Sequence, residues 1–477
     1  MPTFSPSKQS SPRRTLAVLS LAGVAYSVLS SAVVPALPTM QHALHTNETG
    51  IAWLLTGYLL SASVATAVIG RLGDMYGKER MLVWTLVVLA AGTLLAAVGN
   101  SLAVLIVARV IQGAGGGIFP LAFGIIRDEF PRERVAGSIG LMSSLLGVGG
   151  GGGIVVAGFI VEHLDYHWLF WMPFVVICIA ALATWRYVPE SPIRAPGRIN
   201  WVAGGLMAIG ISLALLAVSE TTTWGWGSAR TLSLLAVGLI ICAVWVAVEL
   251  RSREPLIDMG MMRLRGVWTT NLVAFLLGGG MYASFIVYPQ FAQLPKSTGF
   301  GFGASVFVSG LYLLPSALGI TVLGSLAGTI AYRFGLRFAL ILGTGFTGAA
   351  FAILIPFHDQ PVDLIISATL LGIGIGLAFS ALGNLIVRAV PPEQTGVATG
   401  VNTVMRTLGG ALGGQLSATF INSNMAHGLP TVTGFIYTFV MATAFLVAAL
   451  GAGFLIPRSS QRRASRVSQA TSVAESL

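Results

Sequence analysis

Apolar residues form long runs along the whole of this 477-residue chain, separated by short polar segments. Each run has about 18 to 25 residues, the length an α-helix needs to cross roughly 30 Å of hydrocarbon. Fourteen such runs lie at 16–38, 51–70, 81–99, 102–126, 137–160, 167–188, 201–219, 232–250, 267–291, 303–327, 338–356, 362–387, 397–421 and 433–457. The pattern predicts an all-α integral membrane protein with fourteen transmembrane helices.

Matching glycines and prolines indicate an internal duplication. A shift of 260 residues superimposes Pro131, Glu133, Gly140, Gly149, Gly150 and Gly153 on Pro391, Glu393, Gly400, Gly409, Gly410 and Gly413. A shift of 258 superimposes Gly70 and Gly77 on Gly328 and Gly335, with Tyr332 in the place of Asp74. We therefore expect two six-helix repeats around a central cavity, an arrangement used for alternating access.

The predicted domain organisation follows from this duplication. The segments are a tail at 1–15, a repeat at 16–188, an inserted hairpin of spans 7 and 8 with its flanking loops at 189–266, a repeat at 267–457, and a Ser-rich tail at 458–477.

Composition and charge fix the class of protein and its orientation. Hydrophobic residues make up 55% of the chain and charged residues 9%, which excludes an ordinary soluble domain. With the N-terminus inside, 23 of the 27 Lys and Arg residues fall on the cytoplasmic side, so both termini are predicted to be cytoplasmic. This asymmetry explains the net charge of +10 without nucleic acid. We expect the protein to lie in the bilayer of the cell membrane.

A charged segment, Gly70 to Arg80, interrupts the apolar pattern of the first repeat. Gly70 and Gly77 would let the backbone turn tightly there. Asp74 could accept hydrogen bonds from a helix N-terminus or pair with a neighbouring cation. Such a segment could latch two helical bundles together on one face of the membrane.

Span 4 contains Arg109, followed by Gln112 and Gly113. An arginine inside hydrocarbon costs at least about 2.5 to 3.5 kcal/mol, so Arg109 should face protein or a hydrated cavity. Two interpretations remain open: a functional role in transport, or hydrogen bonding to helix ends that only holds the bundle together.

These two stretches resemble motifs of the major facilitator superfamily. Residues 70–80 resemble its signature G-x-L-a-D-r-x-G-r-k-r, and residues 109–115 resemble R-x-x-Q-G-x-g. The fourteen-span layout, with Trp224-Gly-Trp226 after span 7, resembles the drug:proton antiporter branch. The resemblance implies gating or coupling roles for a set of residues in these motifs, namely Gly70, Asp74, Gly77, Arg109, Gln112 and Gly113.

The chain departs from that branch at the residues tied to proton coupling. Leu29 occupies the position of the carboxylate in the first span, and Ile154 and Ala157 replace a proline and a glycine of the antiport signature. Any proton sites are therefore expected near span ends, with Glu220 and Asp363 as candidates.

Aromatic and polar residues on the central spans are candidates for the substrate cavity, since apolar pockets with a few polar groups suit amphiphilic ligands. They are Tyr26, Tyr58, Phe119, Phe123, Asn271, Tyr282, Phe285, Tyr288, Tyr312, Asn402 and Arg406. Each is as readily explained by helix packing or lipid contact.

The sequence thus predicts an exporter of small hydrophobic or amphiphilic compounds such as drugs and antibiotics, driven by protons. The alternative is a facilitator or exporter of one endogenous metabolite without strong proton coupling. No cofactor or metal is expected, and no convergent catalytic set indicates an enzyme.

Overall fold

The computed structural model describes residues 11–195 and 200–457, and these are almost entirely helical. The long helices of the described ranges are α1 Pro12–Ala43, α2 Glu48–Tyr76, α3 Lys78–Val98, α4 Leu102–Glu129, α5 Arg132–His163, α6 Trp168–Tyr187, α7 Trp201–Ser219, α8 Ala229–Arg251, α9 Arg265–Gln293, α10 Val306–Phe334, α11 Leu336–Leu354, α12 Pro361–Ala389, α13 Thr395–Asn422 and α14 Val432–Gly453.

Short elements fill some of the connections. They are the helices Thr221–Trp224 and Met259–Arg263, the 3₁₀ turns Lys296–Thr298 and Pro392–Gln394, and the antiparallel strands Met425–Ala426 and Leu429–Pro430.

Thirteen of the described helices are long and apolar enough to cross a membrane, which makes the chain a multi-pass membrane protein. The remaining long helix, α13, has 28 residues and many Gly, Thr and Ser side chains. Most of these small residues are buried, and α13 packs closely along α9 and α2. Its lower hydropathy therefore reflects contact with other helices, as is usual for small residues at membrane helix interfaces.

Two clusters of buried hydrophobic residues lie mainly in α1–α6, here called the N half, and in α9–α14, here called the C half. The first cluster also includes residues of α7, α9, α12 and α13, so the two halves share part of their core. Within the N half, α1 packs on α5 and α6, and α3 packs on α6. Within the C half, α9 packs on α13 and α14, and α11 packs on α14. Helices at equivalent places in the two six-helix sets therefore make equivalent contacts.

The halves meet mainly along two seams, α5 with α10 and α2 with α13, and α5 also packs on α12. The α5–α10 seam is tight from end to end: a Cβ at Gly328 would lie 2.9 Å from the Cα of Gly137, and one at Gly158 would lie 3.1 Å from the Cα of Phe307. In the α2–α13 seam, the glycines in close contact, Gly70, Gly396 and Gly400, lie near one end only.

Helices α7 and α8 pack on each other beside the N half, and α7 also contacts α2 and α13. Only Thr231, Gly238 and Glu249 of α8 are buried. The hairpin touches both halves at the end of the α2–α13 seam away from Gly70. The Thr56 and Ser219 hydroxyls lie 3.0 Å apart, and Trp226 Nε1 donates to Thr419 Oγ1 at 2.8 Å.

The turn predicted around residues 70–80 is smaller than expected. Helix α2 continues to Tyr76, and Gly77 alone separates it from α3, with φ of 112°. The prediction that Gly70 forms part of the turn is therefore wrong: Gly70 lies within α2, where a Cβ would collide with the carbonyl oxygen of Gly396. Gly335, the counterpart of Gly77, also has a positive φ of 93°.

Helix α4 is less regular than the sequence predicts. A 3₁₀ turn, Gly113–Gly117, interrupts it between two α-helical segments. The run of glycines allows this turn to lie close against α2, where a Cβ at Gly113 would collide with Ser61.

Candidate functional site

Asp74 lies buried at the α2–α13 seam, on the face predicted to be cytoplasmic. Its two carboxylate oxygens accept hydrogen bonds from the backbone N–H groups of Gly396 at 3.1 Å and Val397 at 3.0 Å. These N–H groups belong to the first turn of α13, where they have no partner within the helix and where the helix dipole favours an anion. Asp74 thus joins the N half to the C half.

Lys78 connects Asp74 to a second buried carboxylate. Its Nζ lies 2.6 Å from Asp128 Oδ2 and 3.7 Å from Asp74 Oδ1, and none of the three side chains is exposed. Ser191 Oγ donates to the same oxygen of Asp128 at 2.5 Å. Buried charges of this kind are tolerable only when they are paired. The sequence analysis did not identify Asp128 as part of this group.

Arg127 forms a second polar connection between the halves. Its Nη1 donates to Thr395 Oγ1 at 2.7 Å and its Nη2 donates to the Val390 carbonyl at 2.8 Å. These acceptors flank the turn between α12 and α13. Sequence reasoning missed Arg127 as well, because nothing in the local pattern shows that residues 127 and 390 meet.

The segment that follows α6 covers the turn at Gly77. The Glu190 carboxylate accepts hydrogen bonds from the backbone N–H groups of Glu79 at 3.3 Å and Arg80 at 3.4 Å. The Ala195 N–H donates to the Asp74 carbonyl at 2.7 Å. Position 77 needs a glycine for two reasons: a Cβ there would collide with Glu190, and the positive φ disfavours other residues.

Arg109 is completely buried within the N half. Its Nε donates to the Leu54 carbonyl at 3.2 Å, and its Nη1 donates to Gln112 Oε1 at 2.9 Å. The guanidinium carbon lies 4.2 Å from the centre of the Tyr58 ring, a cation–π contact. The predicted partner Gln112 is therefore in direct contact with Arg109. Leu29 of the first span is also buried.

Four of the predicted cavity residues form an aromatic cluster in the N half. Tyr58 donates a hydrogen bond to the Tyr26 hydroxyl at 2.8 Å. The ring of Phe119 lies 6.3 Å from that of Tyr26 and 6.2 Å from that of Phe123. Phe123 also approaches Gly383 of α12, so the cluster reaches the boundary between the halves.

The C half brings together Tyr282, Phe285 and Arg406. The rings of Tyr282 and Phe285 meet edge to face at 5.5 Å. A Cβ at Gly150 of α5 would lie 3.3 Å from the Phe285 ring, so Phe285 reaches the N half. The guanidinium carbon of Arg406 lies 4.4 Å from the centre of the Phe379 ring. Phe379 was not among the predicted residues.

Other predicted cavity residues lie elsewhere. Tyr288 is completely buried in the core of the C half, where its hydroxyl lies 2.6 Å from Ser367 Oγ, so packing accounts for it. Asn402 Nδ2 donates to Asn271 Oδ1 at 2.9 Å, which joins α13 to α9 within one half. The ring of Tyr312 lies 6.3 Å from that of Phe302.

The two candidate proton sites lie at helix ends. The Asp363 carboxylate accepts a hydrogen bond from the Gln360 N–H at 3.0 Å in a capping box that begins α12. Glu220 follows the last residue of α7 and is half-buried. Helix capping is thus sufficient to explain Asp363.

Comparison with known proteins gives a family match over most of the chain. The family model described as Major Facilitator Superfamily matches residues 19–414. The "Multidrug transporter protein MdtP" of Bacillus subtilis is 27% identical over 73% of this chain and 64% of its own length. The "Tetracenomycin C resistance and export protein" of Streptomyces glaucescens is 28% identical over 81% of this chain and 72% of its own length. This chain therefore spans about two thirds of the length of these relatives.

A solved structure shares the fold. The proton:xylose symporter XylE, described as a protein of the major facilitator superfamily, superimposes with a TM-score of 0.68 at 12% sequence identity. The superposition covers 94% of this chain and 96% of that chain.

Proposed function

Because this chain belongs to the major facilitator superfamily, we propose that it exports small hydrophobic or amphiphilic compounds, including antibiotics, across the cell membrane. The similarity to proteins named as multidrug and tetracenomycin C exporters supports this class of compound. The family and fold are those of transporters and not of enzymes.

The proposed topology has fourteen spans, with α13 as the span that hydropathy alone does not select. Its length of 28 residues and its position between α9 and α2 support this assignment. An even number of spans leaves both termini on one side, and the distribution of Lys and Arg favours the cytoplasm. Helices α7 and α8 are then a hairpin inserted between two repeats, and bilayer lipid surrounds them.

One observation carries the proposal: hydrogen bonds to the start of α13 hold the two halves together at the predicted cytoplasmic face. The carboxylate of Asp74 and the guanidinium of Arg127 supply these bonds across the boundary. Hydrogen bonds of this kind can break and reform as a unit, whereas interlocked apolar packing resists separation. Alternating access requires such a reversible contact, with the halves separating here to admit a compound from the cytoplasm.

Proton coupling is proposed to be weak. The first span carries Leu29 in the place of a carboxylate, and the acids considered as proton sites, Glu220 and Asp363, lie at helix ends. Carboxyl groups at such positions are better hydrated than groups in mid-membrane, so burial perturbs their protonation less.

Expression in a host that lacks its own drug pumps tests the proposed function. The strain is scored for resistance to a panel of dyes and antibiotics, with the empty vector as control. We expect resistance to several compounds and faster efflux of a preloaded dye. A strain that differs from the vector control for no compound, at verified expression, would overturn export of this class.

A further inference from the structure

Arg406 is a buried cation near the middle of α13. At 1.5 Å per residue, it lies about 16 Å along the helix from Thr395. Its side chain is 7% exposed, and its Nε has no hydrogen-bond partner among the described residues. An N–H group buried without a partner costs about 1 to 3 kcal/mol, and more in a charged group.

The charge of Arg406 also lacks a counter-ion. No ion pair within the ranges that the structure describes includes Arg406. The titratable groups that interact with it electrostatically are the phenols of Tyr282 and Tyr26. The buried carboxylates of Asp74 and Asp128 are held by Lys78 at the predicted cytoplasmic face. A buried guanidinium without an anion is costly, so its retention in mid-membrane calls for an explanation.

Arg109 shows what a structurally satisfied arginine looks like in this protein. It donates to the Leu54 carbonyl and to Gln112 Oε1, and only its Nη2 lacks a partner. Arg406 differs from it: the Tyr282 hydroxyl of α9 lies beside its guanidinium, but its Nε has no partner within the described ranges, and a neutral phenol does not balance its charge.

The surroundings of Arg406 leave the Nε–H edge of its guanidinium available for a ligand. Phe379 covers one face of the guanidinium at 4.4 Å, and a ring in that position does not occupy the N–H groups. Tyr282 lies beside the guanidinium, and its ring contacts Phe285, which reaches Gly150 of the N half. The free edge is thus set among aromatic side chains where the two halves approach each other.

We propose that Arg406 binds the anionic group of the exported compound, so that this protein takes aromatic organic anions as substrates. Guanidinium Nε–H and Nη–H groups lie parallel and match the two oxygens of a carboxylate, which Arg binds in a bidentate manner. The aromatic residues around it contact the apolar part of the same molecule. This inference rests on the proposed export function and names the substrate class of that site.

Three compounds that share a pyrene ring and a four-carbon chain but carry an anionic, a neutral or a cationic terminal group test the inference: 1-pyrenebutyrate, 1-pyrenebutanol and 4-(1-pyrenyl)butyltrimethylammonium. Binding to the purified full-length protein in detergent is measured by energy transfer from tryptophan, and export is measured in proteoliposomes. We expect the wild-type protein to bind pyrenebutyrate about tenfold or more tightly than the alcohol, as a hydrogen bond to a charged group implies. The trimethylammonium compound should bind most weakly.

Variants of Arg406 test whether this residue is the source of the selectivity for the anionic compound. Arg406→Gln removes the charge and should cut the affinity for pyrenebutyrate about tenfold while leaving that for pyrenebutanol unchanged. Arg406→Lys keeps the charge but lacks the parallel N–H groups of the guanidinium. Its affinity for pyrenebutyrate should lie between those of the wild-type and the Arg406→Gln protein. Arg333→Gln, which removes one exposed positive charge at the end of α10, is the matched control and should change neither affinity.

The outcomes separate the two proposals. Wild-type protein that exports the alcohol or the cation but does not prefer the anion would overturn the inference and leave the export function standing. Anion-selective binding lost in Arg406→Gln, without export of any compound, would support the site and count against export. Should Arg406→Gln fail to fold, the wild-type preference and Arg406→Lys decide: equal binding of all three compounds, or of pyrenebutyrate by both proteins, overturns the inference.

Discussion

The hydrogen bonds that Asp74 accepts form only while the two halves touch, because both backbone N–H groups that bind its carboxylate belong to α13. Asp74→Asn removes the charge and turns an NH2 group toward one of those donors. We expect the closed form of the predicted cytoplasmic face to lose about 1 to 3 kcal/mol, which shifts its population by between about fivefold and 150-fold. Transport should fall while folding and insertion are retained.

Thiol labelling measures this shift directly. Ala67→Cys places a thiol in the α2–α13 seam beside Gly400, in a background where Cys178 and Cys242 are changed to Ser. A reagent applied from the cytoplasmic side should label this thiol faster in the Asp74→Asn protein. Equal labelling rates and unchanged transport would show that Asp74 is not a latch.

Arg109 allows the two roles left open by the sequence to be distinguished. Arg109→Lys retains a positive charge but loses the Nε bond to the Leu54 carbonyl and the planar stacking on Tyr58. If the arginine couples ion movement to conformation, transport should fall about tenfold or more, as loss of a hydrogen bond to a charged group implies, with little change in melting temperature. Transport and melting temperature that decline together would indicate that Arg109 only holds the bundle.

At the scale of helices, close backbone contact at Gly70 is as important as the polar bonds of Asp74. A Cβ at Gly70 meets the Gly396 backbone, which cannot move aside as a flexible side chain would. We expect Gly70→Ala to separate α2 from α13, increase labelling of the Ala67→Cys thiol and reduce transport. Gly205→Ala on α7 is the control, because a Cβ there meets no atom within 4 Å. Identical behaviour of the two variants would contradict this explanation.

The sequence predicted the spans well because hydropathy and helix length depend on local composition. For Asp74 it left two partners open, a helix N-terminus or a neighbouring cation, and the structure has the N–H groups of Gly396 and Val397 at the carboxylate with Lys78 Nζ 3.7 Å away. It missed Arg127, because its partner Val390 lies far away along the chain. It missed Asp128, because hydropathy does not encode the helix-end geometry that brings this residue to Lys78. The 3₁₀ turn Gly113–Gly117 was missed for a similar reason, since contact with α2 determines it.

At the scale of the whole molecule, the position of acidic groups determines how transport responds to a pH gradient. With Glu220 and Asp363 at helix ends, an acidic exterior should stimulate efflux from proteoliposomes only weakly. The double variant Glu220→Gln, Asp363→Asn should remove that stimulation. Strong proton-driven accumulation that survives the double change would place the coupling site elsewhere, and no stimulation of the wild-type protein would favour a facilitator.

Because the two seams are unequally packed, we expect the two halves to separate by rotating about one seam and opening at the other. The α5–α10 seam, in close contact from Gly328 to Phe307, is the hinge, and the α2–α13 seam is the side that opens. Helices α7 and α8 lie beside the α2–α13 seam. Ser219 of α7 contacts Thr56 of α2, and Trp226, in the connection between α7 and α8, donates to Thr419 of α13. We therefore expect α7 and α8, which belong to neither half, to limit how far the two halves separate on that side and so how bulky a compound can pass.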